Sequence, residues 1–213
     1  MDPVAGIVVY SLLPYVAAFA GVRLAVARGA NGLGPGRVTA ALVAVVAVSS
    51  VIGLAMPSVL HILERNTGRI EQGEVWRLVT ALFQQDGGVI GTLGNLVVLL
   101  VIGSVYEHLV GGRQMVAVFL GVGILAQLPA LVWQPVGAGN SVANLGLAGA
   151  VAMVVLLDRR RPGTAAVAAA LTLLTGVGLT AATDVHGPAV LLGAAGAAIA
   201  HGVRTRGAGR APA

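Results

Sequence analysis

The sequence predicts an all-α, polytopic membrane bundle, and two observations carry that prediction. Of its 213 residues 57% are hydrophobic and only 10% are charged, against roughly 25% charge in a soluble domain. The apolar residues are also gathered into long runs, with the arginines falling between them. A soluble core needs no such runs, whereas a spanning helix needs ~20 mostly apolar residues.

Seven stretches meet that requirement, at about 4–22, 39–60, 89–106, 114–133, 140–157, 164–182 and 187–203. The first follows Asp2, lacks a basic leading segment and contains Pro14, so it reads as a retained span rather than a cleaved signal peptide. Between the first two, Gly32-Leu33-Gly34-Pro35-Gly36 is a turn, and it lacks the Lys-Ser/Thr that would follow in a phosphate loop. The 61–88 connection carries Glu64, Arg65, Arg69, Glu71, Glu74, Arg77 and Asp86 around the apolar run Leu78–Phe83, a pattern that predicts a segment lying in the membrane interface. Trp76 and Trp133 fit an aromatic belt there. The Arg- and Ala-rich stretch 204–213 reads as a disordered tail.

Charge orients the bundle. All 13 basic residues are Arg, and ten of them (23, 28, 37, 113, 159, 160, 161, 204, 206 and 210) fall on one side of the seven spans. The positive-inside rule assigns that side and the C-terminus to the cytoplasm, here of the plasma membrane, and the N-terminus, the 61–88 connection and Asp184 to the outside. The net charge of +5 does not indicate nucleic acid, because these arginines form no basic face. Cysteine is absent, which excludes disulfide and thiolate chemistry. His61 and His201 have no partners at metal-ligand spacing, so neither a metal nor any other cofactor is expected.

Function is sought among polar residues that have a cost to explain. Gly139-Asn140-Ser141-Val142-Ala143-Asn144-Leu145-Gly146 brings three polar residues to the mouth of an apolar helix, and His186 begins another apolar helix 45 residues after Ser141. Taken alone, Ser141 is a helix cap and His186 an interfacial histidine. Both sit at external ends, however, and a hydroxyl and an imidazole at one depth can form a nucleophile and base. Ala189, Gly193 and Ala197 share a face with His186, and Ala148 and Ala152 lie below Ser141; such small-residue faces let helix backbones approach closely. Asn95, within the third span, needs a hydrogen-bond partner. Asp184 precedes His186 by two residues, and on a helix the two would diverge by about 200°, so no triad is assigned. Glu107 and His108 end the third span at its cytoplasmic side and read as loop anchors. No span carries an ionisable residue near its middle, which argues against an ion-coupled transporter.

Several blocks in order resemble the rhomboid family of intramembrane serine proteases. Gly73-Glu74-Val75-Trp76-Arg77-Leu78-Val79-Thr80-Ala81-Leu82-Phe83 is similar to the family's Trp-Arg block ahead of its second core helix. Gly94-Asn95 and Gly103-Ser104-Val105-Tyr106-Glu107-His108-Leu109-Val110-Gly111 resemble that helix and the turn after it. Gly139-Asn140-Ser141 with Gly146 resembles the start of the nucleophile helix, and His186 with Gly193 the base helix. Three positions depart from the pattern: Val142 replaces the Gly after the nucleophile, Gly91 stands where the family has an oxyanion His, and Ala189 replaces the first Gly after the base.

The resemblance implies a rhomboid-like six-helix core over 39–203, preceded by an additional transmembrane helix and cytoplasmic loop over 1–38 and followed by the 204–213 tail. It implies Ser141 as nucleophile, His186 as general base, and Asn95 with the Ser141 N–H as oxyanion donors; Asn140 is a further candidate for the missing His. The implied reaction is hydrolysis of a peptide bond in or near a transmembrane segment, with a transmembrane protein substrate or client and membrane lipid as partners. The rival reading is a catalytically inactive rhomboid-like protein that binds membrane helices. A small-molecule transporter stands behind both.

Overall fold

The computed structural model describes residues 3–208, with side chains for residues 8–203. In chain order the elements are α1 (Pro3–Ala27), α2 (Arg37–Ala55), α3 (Pro57–Leu63), β1 (Arg65–Asn66), α4 (Thr67–Glu71), α5 (Arg77–Thr80), a 3-10 turn (Ala81–Phe83), α6 (Gly88–Val110), α7 (Gly112–Trp133), β2 (Val136–Gly137), α8 (Ser141–Leu157), α9 (Gly163–Ala181) and α10 (His186–Ala208). Val8–Ala27, α2, α6, α7, α9 and His186–Val203 are each long and apolar enough to cross a membrane. The chain is an integral membrane protein built as an all-α polytopic bundle.

Several boundaries differ from expectation: α1 runs on to Ala27 and α6 to Val110. The second span stops at Ala55 rather than near residue 60 because Pro57 opens α3; proline has no N–H to continue the ladder onto the Gly53 carbonyl. At the other end α10 runs on through Ala208, so helix takes in the first part of the expected disordered tail; residues 209–213 lie outside the described residues. The α6–α7 break falls where expected. Gly111 adopts φ 111°, a conformation open to glycine and costly for other residues.

At the centre stands α8, whose residues from Val142 to Ala152 are all buried. It packs against α10, α7, α9, α6 and α1. Lipid supplies no hydrophobic drive for helices to associate, so close backbone contact between small residues must do it. A side chain added at Gly149 would overlap the Val190 carbonyl oxygen, and one added at Gly193 the Gly146 carbonyl oxygen. The α8–α10 contact therefore depends on those glycines. At 17 residues α8 is only about 25 Å long, short of a hydrocarbon layer ~30 Å thick. A helix of that length whose Asp158 end lies at the surface would begin, at Ser141, within the apolar layer.

Polar anchors hold both ends of the bundle. At the arginine-rich end, Arg28 at the close of α1 pairs with Asp158 at 2.7 Å and donates to the Leu109 carbonyl. Glu107 accepts from the Val38 and Thr39 backbone N–H groups and the Thr39 hydroxyl, capping α2 from α6. At the Ser141 end, buried Arg77 donates to the His61 and Glu64 carbonyls and pairs with Glu74 at 2.7 Å. Arg65 donates to the Gln134 carbonyl and to Gln127, while β1 and β2 pair antiparallel, Arg65 opposite Gly137. The Trp-Arg block thus works through its arginine, which fastens the 61–88 connection, while Trp76 stays half-exposed.

Candidate active site

Ser141 opens α8 and His186 opens α10, and the close α8–α10 packing brings the two helix starts together. His186 Nε2 lies 3.0 Å from Ser141 Oγ. The imidazole is buried, with 7% of the residue exposed. A hydroxyl within hydrogen-bond reach of a ring nitrogen, with the base oriented by a third group, is the arrangement that activates a serine.

The third group is Asp184, and here the structure corrects the sequence reading. Helical geometry does not reach Asp184, because α10 starts only at His186. Asp184 instead accepts the backbone N–H of the residue two positions on, His186, at 2.9 Å, the local turn that aspartate side chains favour. The same oxygen then lies 2.6 Å from His186 Nδ1. Thr183, just before it, is held at φ 57°, an unusual conformation for a β-branched residue and one that clusters at functional sites. Burial pushes the Asp184 carboxyl up, but the hydrogen bonds from His186 and its electrostatic attraction outweigh that and hold the carboxyl below its ordinary value.

Asn95 stands one α6 face away, on the wall of a cavity of about 460 Å³ that also touches Ser141, Asn144 and Gly91. Its amide belongs to a closed ring of side chains. Asn95 Nδ2 donates to Gln85 Oε1 at 2.6 Å, Gln85 Nε2 to Asn140 Oδ1 at 2.6 Å, Asn140 Nδ2 to Asn144 Oδ1 at 3.2 Å, and Asn144 Nδ2 to the Asn95 carbonyl at 3.1 Å. Gln85, Asn140 and Asn144 are each at most 3% exposed, so the ring satisfies polar groups that would otherwise be costly to bury. Asn140 is not aimed at Ser141: its amide is engaged with Gln85 and Asn144, and it does not line the cavity. Asn95 Nδ2 keeps a second hydrogen beyond the one given to Gln85.

The loops that frame the mouth are tied across it. Asp86 accepts the Ala138 N–H at 2.8 Å, and the Gly139 N–H reaches the Ala81 carbonyl at 2.9 Å. As the first residue of α8, Ser141 has a backbone N–H with no intrahelical acceptor, and it is available to a developing negative charge. Gly91 faces open space, with nothing within 4 Å of where a Cβ would stand. Val142 is buried at 4% exposure among Leu82, Ala126 and Leu145.

Two contributors, Gln85 and Tyr10, lie outside the sequence reading, and two more, Asp184 and Asn144, are named there without their roles. Asp184 is legible as an Asp-x-His turn, and Gln85 as part of the polar run Gln84-Gln85-Asp86 beside an apolar span. Tyr10 of α1, whose ring stacks on His186 with centroids 3.9 Å apart and planes 22° from parallel, carries no local signal at all. Among the described residues no group of His, Cys, Asp and Glu is arranged to hold a metal ion.

A family model for the rhomboid domain matches residues 72–203, from the 61–88 connection through α6, α7, α8 and α9 to Val203 in α10. No curated protein matches the chain. The matched span covers more than half of the 213 residues and includes Ser141, Asp184 and His186. The chain therefore belongs to the rhomboid family, whose members are generally intramembrane serine proteases acting on transmembrane substrates.

Proposed function

We propose that this protein is a serine endopeptidase that hydrolyses peptide bonds in or near transmembrane segments, with Ser141 as nucleophile, His186 as base and Asp184 orienting the imidazole. The observation that carries the reading is the 3.0 Å separation of His186 Nε2 and Ser141 Oγ. Ser141 Oγ attacks the scissile carbonyl while Nε2 takes its proton. The oxyanion that forms accepts hydrogen bonds from the Ser141 N–H and from Asn95 Nδ2. Collapse breaks the C–N bond as Nε2 returns the proton to the leaving amine, giving an acyl-Ser141 ester. Water, deprotonated by His186, then adds to that ester; its collapse releases the acid and returns the proton to Ser141.

The Ser141 end of the bundle is the external one by the arginine distribution, so cleavage occurs near the outer leaflet of the plasma membrane, with the C-terminus cytoplasmic. The test is labelling by a serine-reactive phosphonate, with cleavage of a reporter transmembrane segment by purified protein in lipid. Wild type should label and cleave; Ser141→Ala and His186→Ala should each do neither, with the double variant little worse than either single one. Gly91 and Val142, in place of the family's His and Gly, favour a second reading, a helix-binding protein without turnover. Identical behaviour of wild type and Ser141→Ala in both assays would establish that second reading instead.

A further inference from the structure

We infer that Tyr10, on the helix that precedes the matched domain, is a positioning residue for His186, so that α1 is a working wall of the active site rather than an appendage. The inference rests on the Ser141–His186 reading above and adds a residue that the family match, beginning at residue 72, does not contain. Its basis is the face-to-face stack of the Tyr10 and His186 rings, centroids 3.9 Å apart and interplanar angle 22°.

Hydrogen bonds at the two ring nitrogens lie in the ring plane and put nothing against its faces. Here Asp184 holds Nδ1 and Ser141 meets Nε2, which sets the ring's direction but leaves both faces uncovered by those contacts. Tyr10 packs on one of these faces and keeps the ring from tilting or withdrawing toward that side. The stack also favours the reacting form: when Nε2 takes the Ser141 proton, the resulting imidazolium lies against an aromatic face, an attraction that the neutral ring lacks.

Pro14, four residues on, has no N–H to bond the Tyr10 carbonyl, so Tyr10 is held less by its own helix than by what α1 packs against. Beyond it, α1 is fixed against its neighbours: a Cβ at Gly21 would overlap Val105 of α6 and crowd Val151 of α8, and Arg28 ties its end to Asp158. Tyr10 also lines the 460 Å³ cavity that reaches Ser141. Its phenol makes no hydrogen bond among the described residues, so the ring face is the part that matters.

The experiment compares Tyr10→Phe, Tyr10→Leu and Phe19→Ala in the full-length protein in lipid. Phe19 lies on the same helix, half-exposed and away from the site, and controls for loss of an aromatic from α1. One readout is the phosphonate labelling rate. The other is the ring-current shift of the His186 imidazole Cε1–H in proton NMR, assigned by His186→Ala among only four histidines. Tyr10→Phe should keep the upfield shift and label within about twofold of wild type. Tyr10→Leu should lose the shift and label ~10- to 100-fold more slowly, the size of penalty that a misplaced reacting group incurs, with a melting temperature no lower than that of Phe19→Ala. A Tyr10→Leu protein that keeps both the shift and the rate overturns the inference, as does a Tyr10→Phe protein that loses both. Should wild type fail to label, the protease reading falls and this role falls with it, while the NMR shift still reports whether the rings stack.

Discussion

A single oxygen of Asp184 holds His186 at two points, accepting its backbone N–H at 2.9 Å and lying 2.6 Å from its Nδ1. The first contact fixes where α10 begins, and the second fixes which ring nitrogen faces Ser141. In Asp184→Asn the amide oxygen can still accept from the backbone, but the negative charge opposite the ring is gone. The cleavage rate should therefore fall by ~10²- to 10⁴-fold with little change in KM. A variant that cleaves at the wild-type rate would show that Asp184 is only a helix cap.

The same carboxylate predicts a pH dependence of stability. Its folded pKa is depressed by His186 despite burial, so the folded state binds fewer protons there than the unfolded chain does. The contribution is fully present above the unfolded value, about 3.9, and disappears as pH falls through the lower folded value. The difference in thermal unfolding between wild type and Asp184→Asn should thus be present above about pH 4 and vanish as pH falls below it. Curves that stay parallel to the lowest accessible pH would argue against ionisation of Asp184 as the source.

The amide ring predicts a stability effect separable from catalysis. Gln85→Ala removes the acceptor of Asn95 and the donor to buried Asn140 together, at a cost of ~1–3 kcal/mol for the groups left unsatisfied. Adding Asn140→Ala should cost less than the two single losses summed, because the partners share one network. Strict additivity in denaturant unfolding would mean that the ring does not act as a unit.

How far the sequence disclosed this site follows from geometry. Ser141 and His186 are legible as a pair because each is a polar residue opening an apolar helix on the same side of the bundle, and the glycines and alanines beneath them announce the close contact. Asp184 is missed by applying helical geometry to the two residues before α10 begins, which turns an adjacent carboxylate by about 200° on paper. Asn95 was recognised as needing a partner, but its partner Gln85 lies in a loop whose path is set by Arg65 and Arg77 holding backbone carbonyls far along the chain. Tyr10 could not be found at all: a tyrosine in an apolar span is ordinary, and only tertiary packing carries it to His186.

Close packing makes a sharper demand at Gly149 than the alanine content alone would suggest. A Cβ there overlaps a main-chain oxygen of α10, which cannot rotate away as a side chain can, so the helices must separate. Gly149→Ala, a change of one methyl, should cost at least the ~1–3 kcal/mol of ordinary overpacking, and Gly193→Leu should abolish the folded protein. By contrast, Gly178→Ala, at a site with nothing within 4 Å, should be neutral in the same melting assay. Equal melting temperatures for Gly149→Ala and Gly178→Ala would contradict the direct α8–α10 contact.

Gly91 offers a test in the direction of gain. It lies on the cavity wall with Asn95, four residues earlier on α6 and so on the same helical face, and open space surrounds the position where its side chain would begin. A histidine placed there has room to direct a ring N–H toward the carbonyl oxygen being attacked at Ser141, adding a donor to those of Asn95 and the Ser141 backbone. One such donor is worth up to ~10²-fold in turnover. Gly91→His should therefore raise kcat for the reporter segment, and Gly91→Ala, which removes the glycine without adding a donor, should not. If Gly91→His folds, labels with phosphonate as wild type does and cleaves no faster, then oxyanion stabilisation is not what limits turnover, and the proposed activity does not need a histidine at position 91.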